Sequence, residues 1–370
     1  MREFEPDSVS AALAGHIRSR IADAGGWVPF DRFMDWALYT PGLGYYAAGD
    51  RQFGLMPASG SDFVTAPELS PLFGRALAVQ VDEGLGAANS DTIWEFGAGS
   101  GALAEQLLHT LGDRVGRYTI VDVSGALRAR QQTRLAPFGD RVAWADRLPD
   151  TMHGVVVGNE VLDAMPARLV AFDGVHWHER GVALHKGRFA FADSIEAADM
   201  EPPFEGPCAP GTVTELHPQA EAFIATLASR LQRGLALFID YGFPQGEYYH
   251  PQRSAGTLMC HRGHRADADP LADVGLKDIT VHLNFSGIAL AAQDAGMDVL
   301  GYTSQARFLL NCGLGSLMQD ASVAQAVAAH KLVAEHEMGE LLKVIALGRG
   351  IEVGAAGLIG FTTGDRLRRL

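Results

Sequence analysis

Glu95, Gly97, Gly99 and Gly101 form E-x-G-x-G-x-G inside TIWEFGAGSGA, residues 92–102. An apolar run that ends on a carboxylate and opens into glycines predicts a buried parallel strand and a tight turn, and the following ALAEQLLHTL has helical period. Without a Cβ, Gly97 and Gly99 reach backbone conformations closed to other residues and let a ligand lie against the main chain near a helix N-terminus. Gly97, Gly99 and Ala102 also satisfy the dinucleotide fingerprint G-x-G-x-x-G/A, so the glycines alone leave two nucleoside cofactor classes open.

Glu95 separates the two classes. A carboxylate two residues before the first glycine crowds a pyrophosphate and suits a ligand that is positively charged there. S-adenosylmethionine carries a sulfonium and an ammonium, and no phosphate. The next strand, RYTIVDVS, ends on Asp122, about 20 residues on, where an acid meets a ribose diol in either class. Ala98 and Val123 belong to the same two turns. Asp146, at the end of RVAWADRLP, either reaches the adenine amine or is a plain turn aspartate. The fourth strand, GVVVGNE, is apolar up to Asn159 and Glu160, and polar residues at the carboxyl end of a buried strand lie where open α/β sheets bind ligands. The competing reading is that Asn159 and Glu160 cap a following helix, with Asp163 joining the cap.

Elements to position these residues follow from the pattern. Residues 8–24 and PFDRFMDWALY have helical spacing and form an N-terminal helical cap. A loop dense in Gly, Pro and aromatics follows, with Tyr39, Tyr45, Tyr46, Phe53 and Phe63 packing it down, until SPLFGRALAVQVDEGL resumes a helix. Four strands precede RLVAFDGVHWHERGVALHKGRFAFAD, whose alternation and turns at Asp173-Gly174 and Lys186-Gly187 predict two β-hairpin turns. His176, His178 and His185 have no cysteine or acidic partner at ligand spacing, so exposed strand histidines are expected there, not a metal site. LALFIDYG, MDVLGYTS and KVIALGRG supply strands five to seven, with helices between and a late helical insert before the last. The fold expected is α/β, a doubly wound seven-stranded Rossmann-like sheet. The expected divisions are a cap and loop over 1–88, a core over 89–304 with a hairpin insert near 166–200, and a completing segment over 305–370.

The formal net charge of −14 and the absence of a Lys/Arg cluster beyond the terminal RLRRL argue against a partner bound through nucleic-acid phosphates. A basic peptide or protein suits that field better. Three widely spaced cysteines, Cys208, Cys260 and Cys312, read as reduced thiols. With a start too acidic for a signal or transit peptide and no apolar stretch of spanning length, they predict a cytoplasmic protein without a membrane span.

EFGAGSG, GNEVLDAMP, FIDYG, the GTL…H…DITVHLNF run and SDFVTAPELS together resemble the MidA family over nearly the whole chain. The resemblance implies a class I S-adenosylmethionine-dependent methyltransferase, and, since the family's mitochondrial member is an arginine methyltransferase needed for respiratory complex I assembly, one that methylates arginine in a partner protein such as a respiratory-complex subunit. It implies that Glu160 holds a substrate guanidinium at the end of strand four, with Asn159 beside it and Asp163 as a second carboxylate. Glu68 and His282 complete the pocket on the same grounds. Ser61 departs from the family pattern where a glycine is expected, and Asn284 where an aspartate is usual. A small-molecule O- or N-methyltransferase closed over by the cap is the rival enzyme. An assembly chaperone on a methyltransferase scaffold is the rival of another class, against which the intact Glu95, Asp122 and glycines count.

Overall fold

The computed structural model describes residues 6–47, 65–122, 125–204, 207–263 and 265–370. The chain forms two compact units, each woven from separated stretches: Met1–Phe63, Asp163–Ala220 and Phe243–Asn284 make one, and Val64–Leu162, Glu221–Gly242 and Phe285–Leu370 the other.

The second unit carries the doubly wound sheet. Seven of its eight described strands, one more than the seven expected, are β1 (Thr92–Phe96), β2 (Arg117–Val121), β3 (Val142–Ala145), β4 (Met152–Asn159), β5 (Leu231–Phe243), β6 (Asp298–Ser304) and β7 (Leu342–Arg349), ordered β6-β7-β5-β4-β1-β2-β3; the eighth is the two-residue Leu283–Asn284. β1 to β5 pair in parallel, whereas β7 runs antiparallel to both neighbours. β4 and β7 are apolar on both faces because helices cover both, as a parallel sheet requires. The strand order reverses between β4 and β1, so their carboxyl ends open on a switch-point crevice of the kind where such sheets bind ligands.

The helices α1 (Pro71–Ala88), α2 (Ala102–Leu111) and α3 (Gly125–Leu135) belong to this sheet. Ser70 starts α1, its hydroxyl accepting from the Leu72 amide at 3.3 Å, with Pro71 at the first helical position. Phe73, Leu77 and Val81 of α1 and Leu103 and Leu107 of α2 join Ile93, Val155, Val157 and Leu237 in one buried core. Each such side chain contributes roughly 1.5–3 kcal/mol on burial. Between β6 and β7 lie the helices Gln305–Asn311, Leu314–Gln319 and Val323–Val333, the expected late insert.

In the first unit, the helices Pro6–Asp23 and Phe30–Tyr39 belong with an antiparallel sheet in which Trp177–His185 pairs with Trp27–Pro29, Arg168–Phe172 and Arg188–Ala197. Both predicted hairpin turns form, the second with Lys186 and Gly187 at φ +51° and +77°. The N-terminal helices and these hairpins share a unit because they share a core, in which Leu13, Ile17, Phe30 and Phe33 join Leu169 and Val182. No helix among the described residues is long and apolar enough to cross a membrane.

Candidate active site

The glycine loop leaves β1 at Phe96 with Gly97, Gly99 and Gly101 at φ +60°, +52° and +82°. Those backbone angles are closed to most side chains, which is why the loop needs glycine. The Gly97 amide donates to the Val121 carbonyl at 3.3 Å, and a Cβ on Gly97 would come within 2.9 Å of a Val161 methyl. Gly101 stands at the N-cap of α2 without a capping side chain, so the first-turn amides are offered to a ligand. Ala98 lies in the loop, 7% exposed.

Alternation along β1 turns Ile93 and Glu95 to the main core and Phe96 to the other face, edge-on to Phe223 at 5.0 Å. Glu95 is 2% exposed, and its Oε2 accepts the Tyr118 hydroxyl at 2.8 Å. Burial pushes its carboxyl from an ordinary 4.5 up to about 8; the charge of Asp122 adds to the rise and the Tyr118 hydrogen bond opposes it. Between those two pH values the folded chain keeps a proton that the unfolded chain has lost. Glu95 therefore favours folding fully below pH 4.5, and the contribution fades as pH rises through about 8. Glu95→Gln, neutral at every pH, should gain melting temperature relative to wild type as pH is raised across that window. A constant difference between the two proteins from pH 5 to pH 8.5 would contradict a neutral buried carboxyl.

α3 braces the loop through side chains one turn apart. Gln131, fully buried, donates from Nε2 to the Gly99 carbonyl at 3.0 Å and to Asp122 Oδ2 at 2.9 Å, while its Oε1 accepts the Trp144 indole at 2.9 Å. Arg134 reaches Glu68 Oε1 at 3.1 Å and the Ser100 carbonyl at 3.3 Å, and also bonds the Ser100 hydroxyl, which itself donates to Glu68. Glu68 is thus engaged with the loop. Asp122 sits just past β2, where Gln131 orients it.

At the carboxyl end of β4, Asn159 Nδ2 donates to Glu160 Oε1 at 2.9 Å, and the buried Asn159 Oδ1 meets no donor among the described residues. Glu160 is held at φ +53°, a left-handed conformation that costs a non-glycine residue on the order of 1 kcal/mol or more. No helix begins here: residues 160–167 are irregular up to the strand Arg168–Phe172, which removes the helix-cap reading of Asn159, Glu160 and Asp163. What holds the turn is β5. The Glu160 amide donates to the Ile239 carbonyl at 2.8 Å, and the next two amides, of Val161 and Leu162, donate to Asp240 Oδ2 at 3.1 and 2.8 Å.

Asp146 is 82% exposed and ion-paired with Arg128. Asp163 and His282 belong to the first unit, where the Asp163 carbonyl accepts the Val281 amide at 3.1 Å and the His282 amide donates to Thr257 Oγ1 at 3.0 Å. Val123, Phe53, Phe63 and Ser61 lie outside the described residues. Tyr118, Gln131, Arg134 and Asp240 are absent from the sequence reading. Only Asp240 had a usable signal, a carboxylate closing the apolar LALFI run as Glu160 closes GVVVGN.

A family model described as S-adenosyl-L-methionine-dependent methyltransferase matches residues 73–303. A protein from Burkholderia thailandensis, solved with S-adenosyl-homocysteine bound, is 48% identical over all of both chains with a TM-score of 0.94. Protein arginine methyltransferase NDUFAF7, mitochondrial, of Danio rerio is 27% identical over 92% of this chain and 87% of its own. The Caenorhabditis elegans homologue, also named as mitochondrial, is 24% identical over 84% of this chain and 79% of its own. These names overturn the expectation of a cytoplasmic protein. Three free cysteines do not distinguish the cytoplasm from the interior of a mitochondrion.

Proposed function

From the premise that this chain belongs to the S-adenosyl-L-methionine-dependent methyltransferase family, identified from its motifs as MidA, we propose that it methylates arginine in a partner protein. The observation that carries the acceptor side is the Asn159-Glu160 turn, a strained carboxylate beside a buried, unmatched amide oxygen at the carboxyl end of β4. A guanidinium is a permanently charged planar fork of donors, which a carboxylate and a neutral acceptor can both engage. The names of the relatives from Danio rerio and Caenorhabditis elegans support the same acceptor, and the net charge of −14 favours a basic partner.

S-adenosylmethionine fits the residues present, because the positive-φ glycines clear room against the main chain and Asp122 stands ready for a diol. When bound, it supplies the electrophilic methyl group. Gly97, Ala98, Gly99 and Gly101 would give it backbone contact, Asp122 would accept from its ribose, and Glu95 would meet its cationic end. Glu160 would turn one guanidinium nitrogen toward the methyl group, so that catalysis rests on alignment. Asp163 and His282 are proposed on the acceptor side. Glu68 is reassigned to the glycine loop, since Ser100 and Arg134 already engage its carboxylate.

The acceptor is tested by mass spectrometry of proteins from cells with and without the gene. A methyl-arginine mark that disappears with the gene supports the reading, and marks confined to small molecules overturn it. The brace beneath the cofactor has its own measurement. Gln131→Leu keeps volume but leaves Asp122, the Gly99 carbonyl and the Trp144 indole without their partner, so S-adenosylhomocysteine affinity should fall about tenfold, the equivalent of one to two hydrogen bonds. Calorimetric titration reads it, and wild-type affinity in a folded variant would reduce Gln131 to packing.

A further inference from the structure

We propose that Asp240 is the positioning residue for Glu160, and that it sets the acceptor carboxylate and the cofactor loop in register with each other. The inference rests on reading Glu160 as the guanidinium partner. Three successive amides, of Glu160, Val161 and Leu162, are taken up by two successive residues of β5, the Ile239 carbonyl and the Asp240 carboxylate. A left-handed residue persists only where its surroundings over-determine it, and this clasp is what does so at Glu160. Asp240 is 1% exposed near the carboxyl end of β5, and its Oδ1 accepts the Tyr241 amide at 2.9 Å.

The same clasp governs the donor side. Val161, whose amide Asp240 holds, packs where a Gly97 Cβ would stand, its methyl 2.9 Å from that position. One carboxylate therefore fixes a turn that carries the acceptor residue and also presses on the first glycine of the cofactor loop. Release of that turn would misalign acceptor against methyl donor without removing a group that touches either, and a misplacement of about 1 Å can cost about a hundredfold in rate.

The test is a double-mutant cycle on the full chain. It reads transfer of tritiated methyl from S-adenosylmethionine to proteins of an extract from cells lacking the gene. Deuterium uptake by the peptide covering 158–164 and S-adenosylhomocysteine titration are read in parallel. Asp240→Ala should slow transfer about a hundredfold and raise uptake in that peptide, with cofactor affinity near wild type. Asp240→Asn, whose amide oxygen can still accept both amides, should restore most of the rate and the protection. Asp240→Ser, too short to span both, should fall between them and serves if the alanine variant does not fold. In a Glu160→Gln background Asp240→Ala should cost clearly less than it does alone, because the larger part of its effect passes through Glu160. Full additivity, or wild-type transfer by both Asp240→Ala and Asp240→Ser, overturns the inference with the Glu160 reading intact. Wild-type transfer by Glu160→Gln alone overturns that reading and this inference with it.

Discussion

Glu160→Gln is expected to reduce methyl transfer by orders of magnitude while leaving S-adenosylhomocysteine affinity and melting temperature close to wild type. Glutamine keeps the size of the side chain and one acceptor, and removes only the charge that pairs with the guanidinium. Because Glu160 holds its strained backbone through its own amide and those of Val161 and Leu162, the substitution leaves the clasp on β5 untouched. The proper contrast is Glu160→Gly, which relieves the φ of +53° and should raise stability while abolishing transfer. A drop in cofactor affinity that tracks the loss of turnover would instead put Glu160 against the cofactor. Undiminished turnover would end the clamp reading.

Gly99→Val should abolish cofactor binding. Its φ of +52° is one that a β-branched residue adopts only at a cost of about 1–3 kcal/mol. The added methyls would also occupy the space through which a ligand reaches the main chain. The position has no slack on its other side, since Gln131 fixes the Gly99 carbonyl and ties it to Asp122. Calorimetry should show no heat with S-adenosylhomocysteine, and Gly99→Ala should bind weakly, between valine and wild type. Near-wild-type affinity in the valine variant would remove the loop from the cofactor site.

Much of this arrangement was legible because it is local. TIWEF, ALAEQLLHTL and KVIALGRG announce strand, helix and strand by period alone, and β1, α2 and β7 follow. Asp122 and Glu160 stood out because each ends an apolar run. What stayed hidden depends on pairings distant in sequence. Asp240 meets Val161 across 79 positions and Arg134 meets Glu68 across 66, and no spacing rule links such residues. Glu95 stood out by type and place, whereas its hydrogen bond with Tyr118, 23 positions on, followed from no local pattern. The competing reading of a helix capped by Asn159 and Glu160 gives way to an irregular turn, whose three amides are held by two residues of β5 78 or 79 positions away.

The interleaving of the two units sets a timetable for synthesis. The first unit's N-terminal helices are made early, yet the Ser10 hydroxyl finds its acceptor at Val274 and the Tyr46 hydroxyl at Asp278, across 264 and 232 positions. At about 5–20 residues per second a ribosome needs on the order of 10–50 s to cover that span. For much of it, until the strands that carry Leu169 and Val182 emerge, Phe30, Phe33 and Leu38 face water or a chaperone. Nascent-chain aggregation, more than equilibrium stability, is therefore where substitutions in the N-terminal helices should first be felt.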